Sequence, residues 1–149
     1  MSTTLPMQIR DWNRVGDADF IYSTWIKSFA DSGFARAIPK PIYNLSQRSR
    51  IEGILDKEET YCLVACDQLE PTLIYGWLVG EAPNIIHYIY CKMDYRQQGV
   101  AAALLEHLDR DEPILYTHKP TPIWAEGKLK SDGQLSNWLY DPYWMERER

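Results

Sequence analysis

The sequence predicts an α+β domain in three layers (α/β/α), with a mixed, mostly antiparallel sheet flanked by helices. Its length of 149 residues is near the common size of one compact domain. Three consecutive apolar runs of strand length, joined by short turns, predict an antiparallel meander. Helical periodicity on both sides of that meander supplies the outer layers. Residues 1–149 are read as a single domain, with 120–149 an aromatic-rich C-terminal extension.

Met7-Gln8-Ile9-Arg10 alternates as a short first strand does. Gly16-Asp17-Ala18-Asp19 offers an N-cap and first-turn acids, and Ala18, Ile21, Tyr22, Trp25 and Phe29 follow at helical spacing until Gly33. Pro39 and Pro41 precede a second helical segment, Ile42 to about Lys57, with Ile51, Ile54 and Leu55 as its apolar face. The meander comprises Thr60 to Cys66, Thr72 to Gly80 and Ile85 to Lys92. Asp67-Gln68-Leu69-Glu70-Pro71 and Glu81-Ala82-Pro83-Asn84 are its turns. From Gly99, residues Val100, Ala101, Leu104, Leu105 and Leu108 share one face of a helix reaching about Arg110, with Glu106, His107 and Asp109 facing away. Pro113 to Thr117 reads as a further strand, giving the order β-α-α-β-β-β-α-β; periodicity does not resolve Pro120 to Arg149.

The 16 basic and 21 acidic side chains leave a net charge of −5. Residues 1–75 hold 8 basic and 10 acidic groups and residues 76–149 hold 8 and 11, so no basic face accumulates and nucleic acid is disfavoured as a main partner. Cys62 and Cys66 on one strand stand roughly 13 Å apart, too far to share a disulfide or a metal ion, and read as buried reduced thiols. No metal site is expected. No apolar run approaches 18 residues and the N-terminus lacks a signal-peptide layout, so the expectation is a soluble cytoplasmic protein without a membrane partner. Trp124, Trp138, Tyr140, Tyr143 and Trp144 crowd the final segment, as a packing flap, as walls of an acceptor pocket or as a dimer contact.

The chemistry concentrates where a strand meets a helix, at Arg96-Gln97-Gln98-Gly99-Val100-Ala101. A glycine at such a turn lets the backbone approach a ligand, and first-turn amides without internal partners attract an anion, with Arg96 available as counter-charge. The stretch resembles the acyl-CoA signature of the GNAT superfamily of N-acyltransferases: Arg or Gln, two free positions, Gly, one free position, then Gly or Ala. Arg96, Gly99 and Ala101 occupy the fixed places. Cys91-Lys92-Met93-Asp94-Tyr95-Arg96 is similar to the family's strand exit, with Met93 where Pro is usual. The order of elements also matches, over roughly residues 7–118. Walker and dinucleotide motifs are absent, and Gly127 to Gly133 is a polar loop.

The resemblance implies acetyl-CoA or another acyl-CoA as cofactor. Its pyrophosphate would meet the backbone of Gln97, Gln98, Gly99, Val100 and Ala101 near Arg96, and its pantetheine arm the main chain of Ile89, Tyr90 and Cys91. The acceptor is an amine, on a small molecule or a protein, and a homodimer is compatible with the family.

An amine with a pKa near 10 is only about 0.1% neutral at pH 7, so a proton must be removed before attack. Glu81 and His87 are the candidate bases: His87 lies inside a strand, Glu81 in the turn before it. Tyr90 is a candidate acid, with Tyr116, Tyr140 and Tyr143 behind it. Strand alternation sets Tyr88 and Tyr90 on the face opposite His87. Pro120-Thr121-Pro122-Ile123-Trp124 does not match the Asn and Tyr pattern that family members carry after their fifth strand. That departure motivates an alternative, a GNAT-like fold kept as a binding or inhibitory protein. Tyr22-Ser23-Thr24-Trp25, His87 to Lys92 and Tyr140 to Trp144 resemble small stand-alone GNAT-like proteins of tailed phages, and that resemblance implies a further alternative, a nucleic-acid-modifying enzyme.

Overall fold

The computed structural model describes residues 5–30, 33–82, 84–96, 98–108, 113–118, 138–141 and 144. β1 (Met7–Asp11) leads into α1 (Arg14–Phe29), then a single turn α2 (Gly33–Arg36) and α3 (Lys40–Leu55). The meander is β2 (Thr60–Asp67), β3 (Ile74–Glu81) and β4 (Ile85–Cys91). A 3-10 turn at Met93–Tyr95, α4 (Val100–Leu105), β5 (Ile114–Tyr116) and β6 (Trp138–Tyr140) are the remaining described elements.

The helices start earlier than their apolar spacing suggests. Asn13, not Gly16 or Asp17, caps α1, because its side-chain oxygen accepts from the Val15 and Gly16 amides at 3.0 and 3.4 Å. Asp17 is a buried first-turn acid that accepts the Asn13 amide at 2.7 Å and both Arg10 guanidinium nitrogens at 2.7 and 3.1 Å. Burial opposes its charge, but these donors prevail and hold the carboxyl below its ordinary range. Pro39 and Pro41 lie at the start of α3, where a missing N–H costs little. Gly33 opens α2 instead of following directly on α1.

The six described strands lie in chain order, antiparallel from β1 to β4 and parallel from β4 to β6. Two cores sandwich this sheet. On one face Ile21, Trp25 and Phe29 of α1 and Ile51 and Ile54 of α3 pack on Cys62, Val64, Trp77, Val79 and Tyr88. On the other, Val100, Leu104 and Leu105 of α4 pack on Ala65, Leu78, Ile86 and Ile114. Alternate residues of β2 and β3 thus serve opposite layers, the three-layer α+β arrangement expected. Cys62 and Cys66 are buried free thiols, and burial pushes the Cys62 thiol far up.

Two further boundaries shift and one strand is added. Leu73 N bonds Glu70 O at 2.9 Å, so the turn extends past Thr72 and β3 begins at Ile74. The α4 helix ends at Leu105, a turn short of Arg110. The unassigned tail contributes β6, which pairs with β5 through Ile114↔Trp138, Leu115↔Leu139 and Tyr116↔Tyr140.

Candidate active site

β4 and β5 run together only briefly. They pair at Ile85↔Leu115 and Ile86↔Tyr116, and the Thr117 amide bonds Ile86 O at 3.0 Å. Beyond that point β4 continues to Cys91 with no described strand on that side, so the sheet opens into a fork. The Lys92 amide donates to Tyr75 O at 2.9 Å, which sets the phase of the β3–β4 ladder. Antiparallel pairs alternate, so Tyr88 and Tyr90 turn their main chain to β3, whereas Ile89 and Cys91 turn N–H and C=O into the open side. The Cys91 carbonyl accepts from Arg96 Nε at 3.2 Å, tying that guanidinium to the strand end.

The loop after β4 is built on glycines for two different reasons. Gly99 has φ 87°, a left-handed conformation that caps α4 and points its first turn back toward β4. Gly76 of β3 has an ordinary conformation but no spare volume. A Cβ there would run into the Tyr90 carbonyl oxygen and stand 3.0 Å from Val100 Cγ1, so its absence lets α4 dock on β4. Gln98 Nε2 donates to Asp94 O at 3.1 Å and stiffens the loop. Gly99, Val100 and Ala101 present first-turn amides that lack intrahelical acceptors. Gln97 lies outside the described residues.

Behind the fork runs a line of buried polar groups. Lys57 Nζ reaches Glu81 Oε1 at 2.7 Å, and Glu81 Oε2 meets His87 Nε2 at 2.6 Å. His87 Nδ1 lies 2.8 Å from Thr117 Oγ1, Thr117 Oγ1 3.0 Å from His118 Nδ1, and His118 Nε2 3.3 Å from Gln47 Nε2. Glu81 is therefore the buried last residue of β3, not the solvated turn acid its place in the sequence suggests. Burial raises its carboxyl, but the His87 and Lys57 bonds outweigh that and hold it ionised. His87 goes the other way: burial lowers it, and the Glu81 bond only partly restores it. Burial lowers His118 well below an ordinary histidine.

A β-bulge brings His87 into this line. The register jumps from Val79↔Tyr88 to Gly80↔Ile86, leaving His87 as the extra residue. Alternation fails there, and His87 turns toward the α1 and α3 layer that also receives Tyr88, contrary to the opposite-face expectation. His118 fills the same side, edge-on to Trp25, Phe29 and Tyr88 with ring centroids at 5.4, 4.7 and 6.1 Å.

Tyr90 is half-buried, stacked on Trp77 at 5.9 Å and edge-on to Phe20 at 6.1 Å. Burial raises its phenol, with the Arg96 charge opposing. From the tail, the Trp144 ring stands 6.1 Å from the His87 ring and 4.8 Å from Lys57 Nζ, roofing the polar line, while Tyr140 stacks on Tyr116 at 5.3 Å. Tyr143 and Trp124 lie outside the described residues. Among the described residues no group of His, Cys, Asp or Glu is placed to hold a metal ion, and no helix is long and apolar enough to cross a membrane.

The structure brings the sequence candidates Glu81 and His87 together and adds Thr117, His118, Gln47 and Lys57, which sequence reasoning did not single out. A signal existed for two of them: in a parallel β4–β5 register, Thr117 and His118 follow directly on the residue opposite Ile86.

No family model matches the sequence, and no curated protein does. Solved structures do. A proposed acetyl transferase from Pyrococcus furiosus superposes with a TM-score of 0.53 over 95% of this chain and 91% of its own, at 17% identity. A ribosomal-protein-alanine N-acetyltransferase from Brucella melitensis biovar Abortus 2308 gives 0.46 over 91% and 79%, at 12% identity. The likeness is one of fold: this chain shares the three-layer α+β fold of the Pyrococcus furiosus acetyl transferase.

Proposed function

We propose, on the premise of this fold, that the chain binds acetyl-CoA or a related acyl-CoA and transfers the acyl group to an amine acceptor, small molecule or protein, by direct attack. The observation that carries this reading is the fork, a strand edge at Ile89 and Cys91 that faces no described strand and ends in the left-handed turn of Gly99. An extended, amide-bearing arm fits such an edge as an added strand would. The α4 first-turn amides and Arg96 suit a diphosphate at its end. Tyr90 turns its main chain to β3, so the pairing groups narrow to Ile89 and Cys91. Acyl-CoA, when bound, supplies an activated acyl group. The chain must hold it, exclude water and take one proton from the amine.

Acetyl-CoA titration by calorimetry tests the reading. Ile89→Pro removes the open-edge N–H without removing a β3 bond and should weaken binding at least tenfold. Gly53→Ala, at a helix position with open space around it, should leave binding unchanged. No binding at millimolar acetyl-CoA would sink the proposal.

One observation favours a second reading. Both candidate bases are buried, and the Glu81 oxygens and His87 nitrogens are all occupied, as in a fold retained for binding alone. Acetyl-CoA binding without turnover across a panel of amines would support that alternative.

A further inference from the structure

We propose that the cleft between α1 and α3 is a docking site for an acidic segment of a partner protein, a stretch of chain in which carboxylates alternate with aliphatic side chains. The cleft encloses about 610 Å3, and its lining comes from α1, its capping residue Ala30 and α3, with no residue from the sheet. It is therefore separate from the fork. The inference goes beyond the acyl-transfer reading and does not rest on it.

Charge selects the occupant. Lys27, Lys40 and Arg48 line the cleft, no acid does, and none of the three cations forms a salt bridge with a described residue. Residues 20–51 carry five basic groups, Lys27, Arg36, Lys40, Arg48 and Arg50, against the single acid Asp31, which lies outside the described residues. The even balance between the two halves of the sequence hides this segregation, in a chain whose net charge is −5. A basic patch on an acidic protein draws in carboxylates and fixes where they dock.

Two of the cations sit where a ligand, rather than the fold, requires them. Lys40 opens α3, at the positive end of the helix dipole, where a cation works against the helix. No acid lies in that first turn and no side chain caps it, so a carboxylate from outside meets both the Lys40 ammonium and the helix end. The Arg48 guanidinium lies over the Tyr22 ring at 4.8 Å. That contact uses the face of the guanidinium and leaves its N–H edge for a carboxylate.

The rest of the lining favours a polypeptide over other anions. Ile26, Ala30 and Leu45 supply its apolar part; Leu45 is 75% exposed, and Ile42, about one helical turn earlier and 55% exposed, extends the strip. Aliphatic side chains of a partner would cover that strip, whereas a phosphodiester backbone would leave it bare. Tyr22, beneath Arg48, is buried and offers no face on which a base could stack. A bilayer is flat, while Ile26 and Ala30 are only part-exposed within a recess. Ser23 and Asn44 add polar side chains suited to a peptide main chain.

Fluorescence anisotropy on the full chain tests the site with short labelled peptides built from glutamate and leucine, from glutamate and serine, and from lysine and leucine. The glutamate–leucine peptides should bind, and the other two sets at least tenfold more weakly or not at all. Lys40→Glu should weaken the glutamate–leucine complex at least tenfold and Leu45→Ser severalfold. Arg36→Glu, the same charge reversal at an exposed position outside the cleft, should stay within about twofold of the wild type. Because an acid suits the first turn of α3, Lys40→Glu should raise the urea midpoint while binding falls, which separates lost recognition from lost fold. If that midpoint falls instead, Leu45→Ser and the peptide series still decide.

No binding of any glutamate–leucine peptide at millimolar concentration, equal affinity for the glutamate–serine peptides, or equal losses in Lys40→Glu and Arg36→Glu would overturn the proposal. So would tighter binding of duplex DNA or of phosphatidylserine vesicles with the same sensitivity to Lys40→Glu. Acetyl-CoA affinity should be the same in Lys40→Glu and the wild type, and its loss would make the cleft part of the cofactor site and refute a separate docking site. A wild type that does not bind acetyl-CoA defeats the acyl-transfer reading alone, and the peptides still judge the cleft.

Discussion

The two halves of β4 offer opposite kinds of chemistry from one continuous strand. From Ile85 to Tyr88 the strand is buried, its bulged residue His87 held by side chains from β3 and from the segment after β5. From Ile89 to Cys91 it is half-exposed, and what it offers is main chain. The first half depends on which side chains are present, because a buried polar group left without its partner is costly. The second depends on backbone geometry, so side-chain identity there matters less than the missing side chain of Gly76 and the left-handed turn of Gly99 that shape it. The fork is the point where one regime gives way to the other.

Four measurements would break or sharpen that contrast. The largest effect should come from Glu81→Ala, which strips the acceptor from His87 and Lys57 at once and should cost about 3 to 5 kcal/mol in urea unfolding. A loss below about 1 kcal/mol would mean that the polar line is loosely held.

Gly76→Ala should follow at roughly 1 to 3 kcal/mol, because the added methyl meets the Tyr90 carbonyl and Val100. It should also weaken acetyl-CoA binding by moving α4 away from β4.

The third concerns pH. His87 and His118 are held below their ordinary values by burial, so below about pH 6.5 the unfolded chain binds protons that the folded chain refuses. Their stabilisation is fully present above that pH and falls as pH drops, by about 1.4 kcal/mol per pH unit for each histidine. Glu81, also lowered, keeps its contribution until pH falls below the ordinary carboxylate range. Urea midpoints at pH 7.5 and 5.5 that coincide would contradict the buried neutral pair.

Gly99→Ala should have the smallest effect, about 1 kcal/mol. Nothing lies within 4 Å of the new methyl, and the cost is conformational, from a φ that L-residues avoid. The same substitution at Gly76 and Gly99 therefore separates a steric requirement from a backbone one.

Much of this was legible in the residues. TYCLVAC, IYGWLVG and IIHYIYC are long enough and apolar enough to be central strands, and Ile21, Trp25 and Phe29 mark their helix by spacing alone. Arg96, Gly99 and Ala101 mark the turn because a local backbone need, a positive φ at Gly99, leaves a local trace. Thr117, His118, Gln47 and Lys57 left none. They are polar residues in ordinary surroundings of sequence, and only long-range pairing gives them neighbours. The cap at Asn13 was hidden by a better-looking acid four residues on, and β6 by its brevity, three residues whose partners sit more than 20 positions away.

The sequence by itself determined the layers, the order of elements and the glycine turn, since periodicity and backbone conformation are set by residues a few positions apart. Tertiary structure alone decided where β4 parts from β5, that a bulge turns His87 toward α3, and that Trp144 closes over it. Those outcomes join residues 57, 81, 87, 117, 118 and 144. No local preference links such distant positions; burial brings them together, and the need to satisfy every buried polar atom fixes how they meet.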